Sequence, residues 1–489
     1  MFVSCVTLFM MSFVRSISHF GTAVLLVLCL NASCAEGQNL KTNNPLIDSA
    51  FRLAVWTVDH NTHNGLIHAG GGYGGEWTRD CAINCWNAVS LLRPQVAEQS
   101  LWSVTEDSLR IGHQYWDKIL WVIAAHNHYL VTLDTHFLRQ AYRCSALTMS
   151  ELETQCFDTA YGLFTGPAVF QDGIAGYDEP IYDPALWDDS YVLHHPNSST
   201  IKCLSTNAVY LEAYRRLALM SQTLGENPSI AKAYLRKASA LRRNIRRHLY
   251  LPEEHKTYYL IDHLGHPHPY QEGMGLALSL LTDIFSPREV ASLIANTYIT
   301  AHGIPCVYPS FPRNTPDKPG RHNLMIWPHI NMLYASGCAE NGRWELFVFE
   351  LENLADLAIN RGHGDFYEIY TIEGEPSGGW QCGALWDKKE HQTWCATGYL
   401  RLILNHIFGL TPTPDGLLIS PHGLQDGAQA TLTGIPYHQA TLTITLQGSG
   451  SRIKSCQLNG TPLRPTTRTS ILIPPTAQGP LTLDIHLSN

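Results

Sequence analysis

Three short stretches of this 489-residue chain combine glycine, aromatic rings and carboxylates. Residues 70–80 read G-G-G-Y-G-G-E-W-T-R-D and offer Trp77, Arg79 and Asp80. Residues 166–180 read G-P-A-V-F-Q-D-G-I-A-G-Y-D-E-P and offer Asp172, Tyr177, Asp178 and Glu179. Residues 362–381 contain F-Y-E-I-Y and G-E-P-S-G-G-W-Q, which supply Tyr367, Glu368, Glu375, Trp380 and Gln381. Two carboxyl groups set across a bond can protonate a leaving oxygen and activate water on the other side, which is what cleavage of a glycosidic linkage requires. An adjacent Arg and Asp can hold several hydroxyls of one sugar through charge-assisted hydrogen bonds. Aromatic faces stack on sugar rings, although they fill protein cores as readily.

Each residue also has a purely structural reading. Arg79 and Asp80 can form a local ion pair at the start of a helix beginning at Cys81, where an acidic side chain suits the helix dipole. Asp172-Gly173 and Asp178 can simply shape turns. Val169, Phe170, Ile174 and Ala175 around Asp172 point instead to burial, which raises a carboxyl pKa as a general acid needs. Glu368 can be a base among tyrosines or a solvated loop residue. Residues 321–329, R-H-N-L-M-I-W-P-H, add Trp327 and His329, the latter read as a satisfied structural histidine. Residues 391–394, H-Q-T-W, add Gln392 and Trp394, which line a pocket or cap and pack. The 24 histidines form no H-E-x-x-H or other spaced metal set, so no metal or cofactor is expected.

The elements that must position these residues are helices. From about residue 46 to 410 the apolar spacing predicts helices over 45–59, 82–92, 109–125, 206–223, 230–249, 273–281, 287–297, 324–336, 343–360 and 392–408. Their lengths suit antiparallel hairpins joined by loops of alternating size. After residue 410 the pattern alternates, with strands expected at 430–432, 440–445, 452–457, 470–473 and 481–487, forming a small antiparallel β-sandwich. The domains are thus read as 40–410 and 411–489. Residues 1–35 have a basic flank, a short apolar run and small residues, the features of a secretory signal. The string L-N-A-S-C also hints at lipidation of Cys34. An exported protein, periplasmic or extracellular, without a membrane span is expected. Hydrophobic residues at 45% exclude wholesale disorder, and a formal charge of −9 argues against nucleic acid as a partner. The cysteines show no zinc pattern; Cys81 and Cys85 could meet across one helical turn, and most are read as buried apolar groups.

Taken together, the strings resemble the six-hairpin glycosidase superfamily of glucoamylases, trehalases, debranching α-1,6-glucosidases and mannosylglycerate-hydrolase-like enzymes. E-W-T-R-D-C-A-I is similar to the segment whose Arg-Asp pair holds the terminal sugar, here Arg79 and Asp80. G-L-F-T-G-P-A-V-F-Q-D-G resembles the loop that delivers the general acid, here Asp172. F-Y-E-I-Y, G-E-P and Q-T-W-C-A-T-G-Y-L resemble the general-base segment, here Glu368. S-T-N-A-V-Y-L-E-A-Y and I-W-P-H have counterparts too. Trehalase-like relatives carry G-W-D-x-S at the acid, and the string set against it here is G-Y-D-E, so Asp178 rivals Asp172, which is preferred. The resemblance implies an (α/α)6 toroid and an inverting exo-glycosidase acting on an oligosaccharide or glycan. Trp77, Arg79, Asp80 and Trp380 would bind the terminal sugar, with Tyr177, Glu179, Trp327, His329, Tyr367, Gln381, Gln392 and Trp394 around it. A phosphorylase, a lyase and a non-catalytic carbohydrate-binding protein are the alternatives.

Overall fold

The computed structural model describes residues 37–73, 77–112, 114–171, 192, 195, 197–381, 384–424 and 429–488. Two kinds of helix alternate along the chain. One kind is buried nearly all round: every residue of Pro328–Glu340 from Pro328 to Cys338 is buried, as are Gly273 to Leu280 of Gly273–Leu281. The other kind is amphipathic: Pro228–His248 buries only Ala231, Ala238, Leu241 and Ile245. A helix apolar on all sides belongs inside, and one with a single apolar stripe belongs outside.

The buried helices pack in a closed sequence. Thr78–Asn84 lies on Leu120–Thr132, then come Leu204–Thr223, Gly273–Leu281, Pro328–Glu340 and Thr393–Arg401, which returns to Thr78–Asn84. Pro45–His60, Pro94–Ser103, Thr135–Cys156, Pro228–His248, Pro287–Ala295 and Trp344–Asp356 precede these in alternation. This arrangement fits a helical toroid. Close approach within the ring is visible at Gly337, where an added Cβ would lie 2.6 Å from Leu280 Cβ.

The connections are strongly unequal. Those leaving a buried helix are short (133–134, 224–227, 282–286, 341–343), whereas those entering one are long (61–77, 104–119, 157–203, 249–272, 296–327, 362–392). Each long connection therefore ends where a buried helix begins. The start of a helix also carries the positive end of its dipole.

Several expected elements moved. Residues 109–125 are not one helix: Thr105–Glu106 pairs with Arg110–Ile111 in a hairpin turned by Asp107 and Ser108, both at positive φ, and the helix starts at Leu120. The helix expected from 324 starts at Pro328, a residue suited to a first helical turn. The helix expected from Cys81 starts at Thr78, so Asp80 lies inside its first turn. Pro94–Ser103 and Thr135–Cys156 were not anticipated.

After residue 409 the chain forms two sheets. One has three strands, Gly416–Ile419 pairing with both Leu410–Thr413 and Ile471–Ile473. The other has six, and it is not wholly antiparallel: Gln439–Gln447 runs parallel to Gln478–Ser488. A parallel pair needs a crossover, and residues 448–477 supply it. This sheet also takes in Asn39–Lys41, which pairs with Ala430–Tyr437, so the first described strand sits against the last domain. Leu40, only 1% exposed, faces Leu432 across that pair. One hydrophobic cluster runs from Leu40 through the helices to Leu487. All nine cysteines among the described residues are buried, Cys81 and Cys85 included. Among the described residues no helix is long and apolar enough to cross a membrane.

Two glutamates are fully buried in the helical part. Glu272 accepts a hydrogen bond from the Ser205 backbone N–H at the head of Leu204–Thr223, and Glu350 accepts from Asn331 Nδ2 at 2.9 Å and the Ile304 N–H at 3.0 Å. Burial pushes each carboxyl up to about 8. A carboxyl whose pKa is raised by folding stabilises the protein in its protonated form, and that contribution disappears as the pH climbs through the folded-state value. The unfolding free energy should therefore fall between about pH 4.5 and about pH 8, and urea titrations of Glu350→Gln should show a shallower decline. In the same titrations, Leu40→Ala should lower stability by about 2–4 kcal/mol through cavity formation; a loss below about 0.5 kcal/mol would show that the first strand does not belong to the core.

Candidate functional site

Glu368 lies in the long connection ahead of Thr393–Arg401 and is 4% exposed. Its Oε2 accepts from Arg321 Nη2 at 2.6 Å and from the Tyr73 hydroxyl at 3.0 Å. Arg321, 5% exposed, also donates through Nη1 to the Gly378 carbonyl at 2.6 Å. Its guanidinium carbon stands 5.2 Å from the Trp327 ring centroid and 5.4 Å from that of Trp386. The Trp327 indole N–H closes the turn by donating to the Arg321 carbonyl at 2.8 Å. A buried ion pair keeps its geometry only where further hydrogen bonds satisfy both partners, as they do here.

The backbone of the two loops is laced together. The Arg321 N–H donates to the Trp380 carbonyl and the Trp380 N–H to the Pro319 carbonyl. Gly379 has φ of +69°, and an added Cβ would lie 2.6 Å from Arg321 Cα, so only glycine permits this approach. The Glu368 N–H donates to the Lys389 carbonyl and the Gln392 N–H to the Phe366 carbonyl, which folds residues 366–392 back on themselves. Asp365 fixes the same loop by accepting from the His391 backbone N–H at 2.9 Å while facing its imidazole at 2.8 Å.

Arg79 and Asp80 sit in the first turn of Thr78–Asn84, 5% and 6% exposed. Arg79 donates to Gln114 Oε1 at 3.0 Å and lies 3.5 Å from Asp117, whereas its contact with Asp80 is a looser 3.8 Å. The local ion pair is thus the weaker part of Arg79's surroundings. Trp77 stands at the N-cap, its ring 5.8 Å from the Arg79 guanidinium.

An aromatic group adjoins the Arg321 cluster through Trp327, whose ring lies 5.5 Å from that of His329 and 6.2 Å from that of Trp394. His329 stacks on Trp394 at 4.3 Å, and Phe170, at a positive φ of 64°, meets both rings edge-on. His329 is fully buried, and neither ring nitrogen has a hydrogen-bond partner among the described residues. The expectation of a satisfied structural histidine is therefore corrected. Burial and the nearby Arg79 charge hold His329 well below the usual histidine range, so it is neutral. His322 and Cys395 show that the clusters are neighbours: His322 feels both Arg321 and Arg79, and Cys395 feels both Glu368 and Asp80.

The remaining expected residues divide. Gln392 and Gln381 are buried, each with an Oε1 that lacks a partner; Trp380 is half-buried under Lys318, and Tyr367 under Lys388. Glu375 is exposed and faces Arg361 at 3.3 Å, away from the Glu368 cluster. Asp172, Tyr177, Asp178 and Glu179 lie outside the described residues, as do Cys34 and the rest of the leader. Sequence reasoning passed over Tyr73, Arg321, Gln114, Asp117 and His322. Tyr73 and Arg321 stood inside quoted motifs, but nothing local marks which polar side chain meets a glutamate about 50 or 300 residues away. It also passed over residues 187–190, W-D-D-S, which place Asp188 in the W-D-x-S part of the acid pattern, whereas G-Y-D-E keeps only its Gly and Asp. Among the described residues no cluster of His, Cys, Asp and Glu could hold a metal ion.

The arrangement can supply a carboxylate held for proton abstraction beside a buried Arg-Asp pair and unsatisfied polar groups suited to hydroxyls. A charge-assisted hydrogen bond contributes about 1.5–3 kcal/mol. Tyr73→Phe and Arg321→Met should accordingly lower kcat by about tenfold and about a hundredfold, with near-ultraviolet circular dichroism unchanged. Undiminished turnover in both would detach this cluster from the chemistry.

The family model of the mannosylglycerate hydrolase MGH1-like glycoside hydrolase domain matches residues 113–395, more than half of the chain. No curated protein sequence matches. Among solved structures, a GH63 mannosylglycerate hydrolase from Thermus thermophilus in complex with glucose is 15% identical, with a TM-score of 0.57 over 72% of this chain and 99% of that one. A rhamnosidase from Klebsiella oxytoca with rhamnose bound is 13% identical, with a TM-score of 0.56 over 76% and 66%. A sialidase is 15% identical, with a TM-score of 0.65 over 89% of this chain and 41% of that one. At such identities these likenesses speak for the fold alone. The extent of the family match places the chain in the mannosylglycerate hydrolase MGH1-like glycoside hydrolase family, within a six-hairpin glycosidase-like superfamily: it is a glycoside hydrolase.

Proposed function

We propose that the protein is an inverting, exo-acting glycosidase on an (α/α)6 toroid that removes a terminal sugar from an oligosaccharide or glycan. The observation that carries the reading is the buried Glu368, held by Arg321 and Tyr73 where three of the long connections meet. In this reading Glu368 is the general base that activates water. Arg79 and Asp80 hold hydroxyls of the terminal sugar, and Trp77, Trp380, Trp327 and Trp394 enclose its ring. The acid comes from the sequence between 172 and 190, and the W-D-x-S match favours Asp188 over Asp178 and Asp172. We further propose export, on the leader-like sequence of residues 1–35.

The mechanism follows from the two-carboxylate requirement. The acid protonates the glycosidic oxygen while the base takes a proton from water attacking the opposite face, so the anomeric centre inverts. A buried carboxylate fixed by an arginine is a poor candidate for swinging motion and a good one for orienting a single water.

Purified protein without residues 1–34 should be tested on mannosyl, glucosyl and rhamnosyl aryl-glycosides and on natural oligosaccharides. Glu368→Gln should lower kcat by roughly three orders of magnitude or more with folding intact. Asp188→Asn should abolish turnover of natural linkages yet spare dinitrophenyl glycosides, whose leaving group needs no proton. The same sparing in Asp172→Asn or Asp178→Asn, and not in Asp188→Asn, would transfer the acid role. Proton NMR of the first-formed product should show the anomer opposite to the substrate's; retention would overturn the inverting assignment.

A further inference from the structure

We propose that His322 binds a hydroxyl of the terminal sugar directly and helps select which sugar is accepted; the inference rests on the glycosidase reading. His322 follows Arg321, and its ring lies over Trp327 at 4.7 Å with 24° between the planes. It is 6% exposed, and neither Nδ1 nor Nε2 has a hydrogen-bond partner among the described residues. Leaving a buried polar atom unmet is costly. Native interiors seldom leave both nitrogens of one ring in that state without a functional reason.

The position says what such a ligand would be. His322 is within electrostatic reach of Arg321, which holds Glu368, and of Arg79, which stands beside Asp80. It adjoins Arg321 in sequence and shares the Trp327 ring with it, so it stands beside the carboxylate proposed as the base, where the terminal sugar is bound in that reading. Burial and the two arginines hold the imidazole neutral. A neutral imidazole presents one N–H donor and one acceptor nitrogen. A carboxylate cannot serve the acceptor nitrogen and an ammonium cannot serve the donor, whereas a hydroxyl serves either. His329, equally unpartnered and stacked on Trp394, repeats the pattern, so two aromatic-backed neutral imidazoles face one polyhydroxylated ring.

The probes are D-glucose, D-mannose and L-rhamnose, titrated by calorimetry to about 100 mM into the full protein and into His322→Phe and His322→Gln. Phenylalanine keeps the stack on Trp327 and removes both polar atoms; glutamine restores a donor and an acceptor. We expect at least one sugar to bind the wild type, His322→Phe to weaken it by about tenfold or more, and His322→Gln to recover part of the loss. Without sugar, His322→Phe should melt no lower than the wild type, because it removes unmet polar atoms from an apolar setting. Binding within twofold of wild type in His322→Phe, or no binding of any of the three to wild type, would overturn the proposal. Turnover that survives together with unchanged sugar binding in His322→Phe would keep the hydrolase and dismiss His322. Binding lost in His322→Phe by a protein that hydrolyses none of the glycosides tested would keep the binding role and dismiss the proposed exo-hydrolysis.

Discussion

A single buried ion pair organises the candidate site. Removing Glu368 and Arg321 from water carries a desolvation cost that their mutual attraction repays only if every remaining hydrogen-bonding position is used. The protein meets that condition with Tyr73 from the first long loop, the Gly378 carbonyl from the last, and two tryptophan faces around the guanidinium. Three connections far apart in sequence are thus bound to one charge pair. Gly379 follows from the same demand, since any side chain there would separate the two segments that carry Arg321 and Trp380.

The helical scaffold makes this convergence possible. Short links leave the buried helices and long links enter them, and three of the long links meet at Glu368. Side chains in the first turn of a buried helix, such as Asp80, His329 and Trp394, are held by a rigid element rather than a loop.

Around the charged pair, polarity is arranged sparingly. Glu272 and Glu350 are buried and pushed toward neutrality, and His322 and His329 are held neutral. The low-dielectric interior thereby keeps its charges to a few fixed positions, and leaves neutral donors and acceptors for a neutral ligand. Such preorganised dipoles act on a reacting sugar without having to reorient during the reaction.

Much of this was legible before any coordinates. Apolar periodicity is local physics, so Gly273–Leu281, Pro45–His60 and the alternating C-terminal strands stood close to where expected. Motif chemistry likewise singled out Glu368, Arg79 and Asp80, because a carboxylate among aromatics and an adjacent Arg-Asp pair are visible in a few residues. Local pattern failed where local and distant forces compete: an apparent helix at 109–125 became a hairpin at its start, and Gln478–Ser488 paired in parallel through a crossover that no strand pattern announces. The partners of Glu368 were decided by tertiary structure alone. A hydrogen bond from Tyr73 spans 295 residues of sequence, and one from Arg321 spans 47. Sequence composition states which groups are available; which of them must meet, and which histidines have no partner among the described residues, depends on how the ring of helices closes.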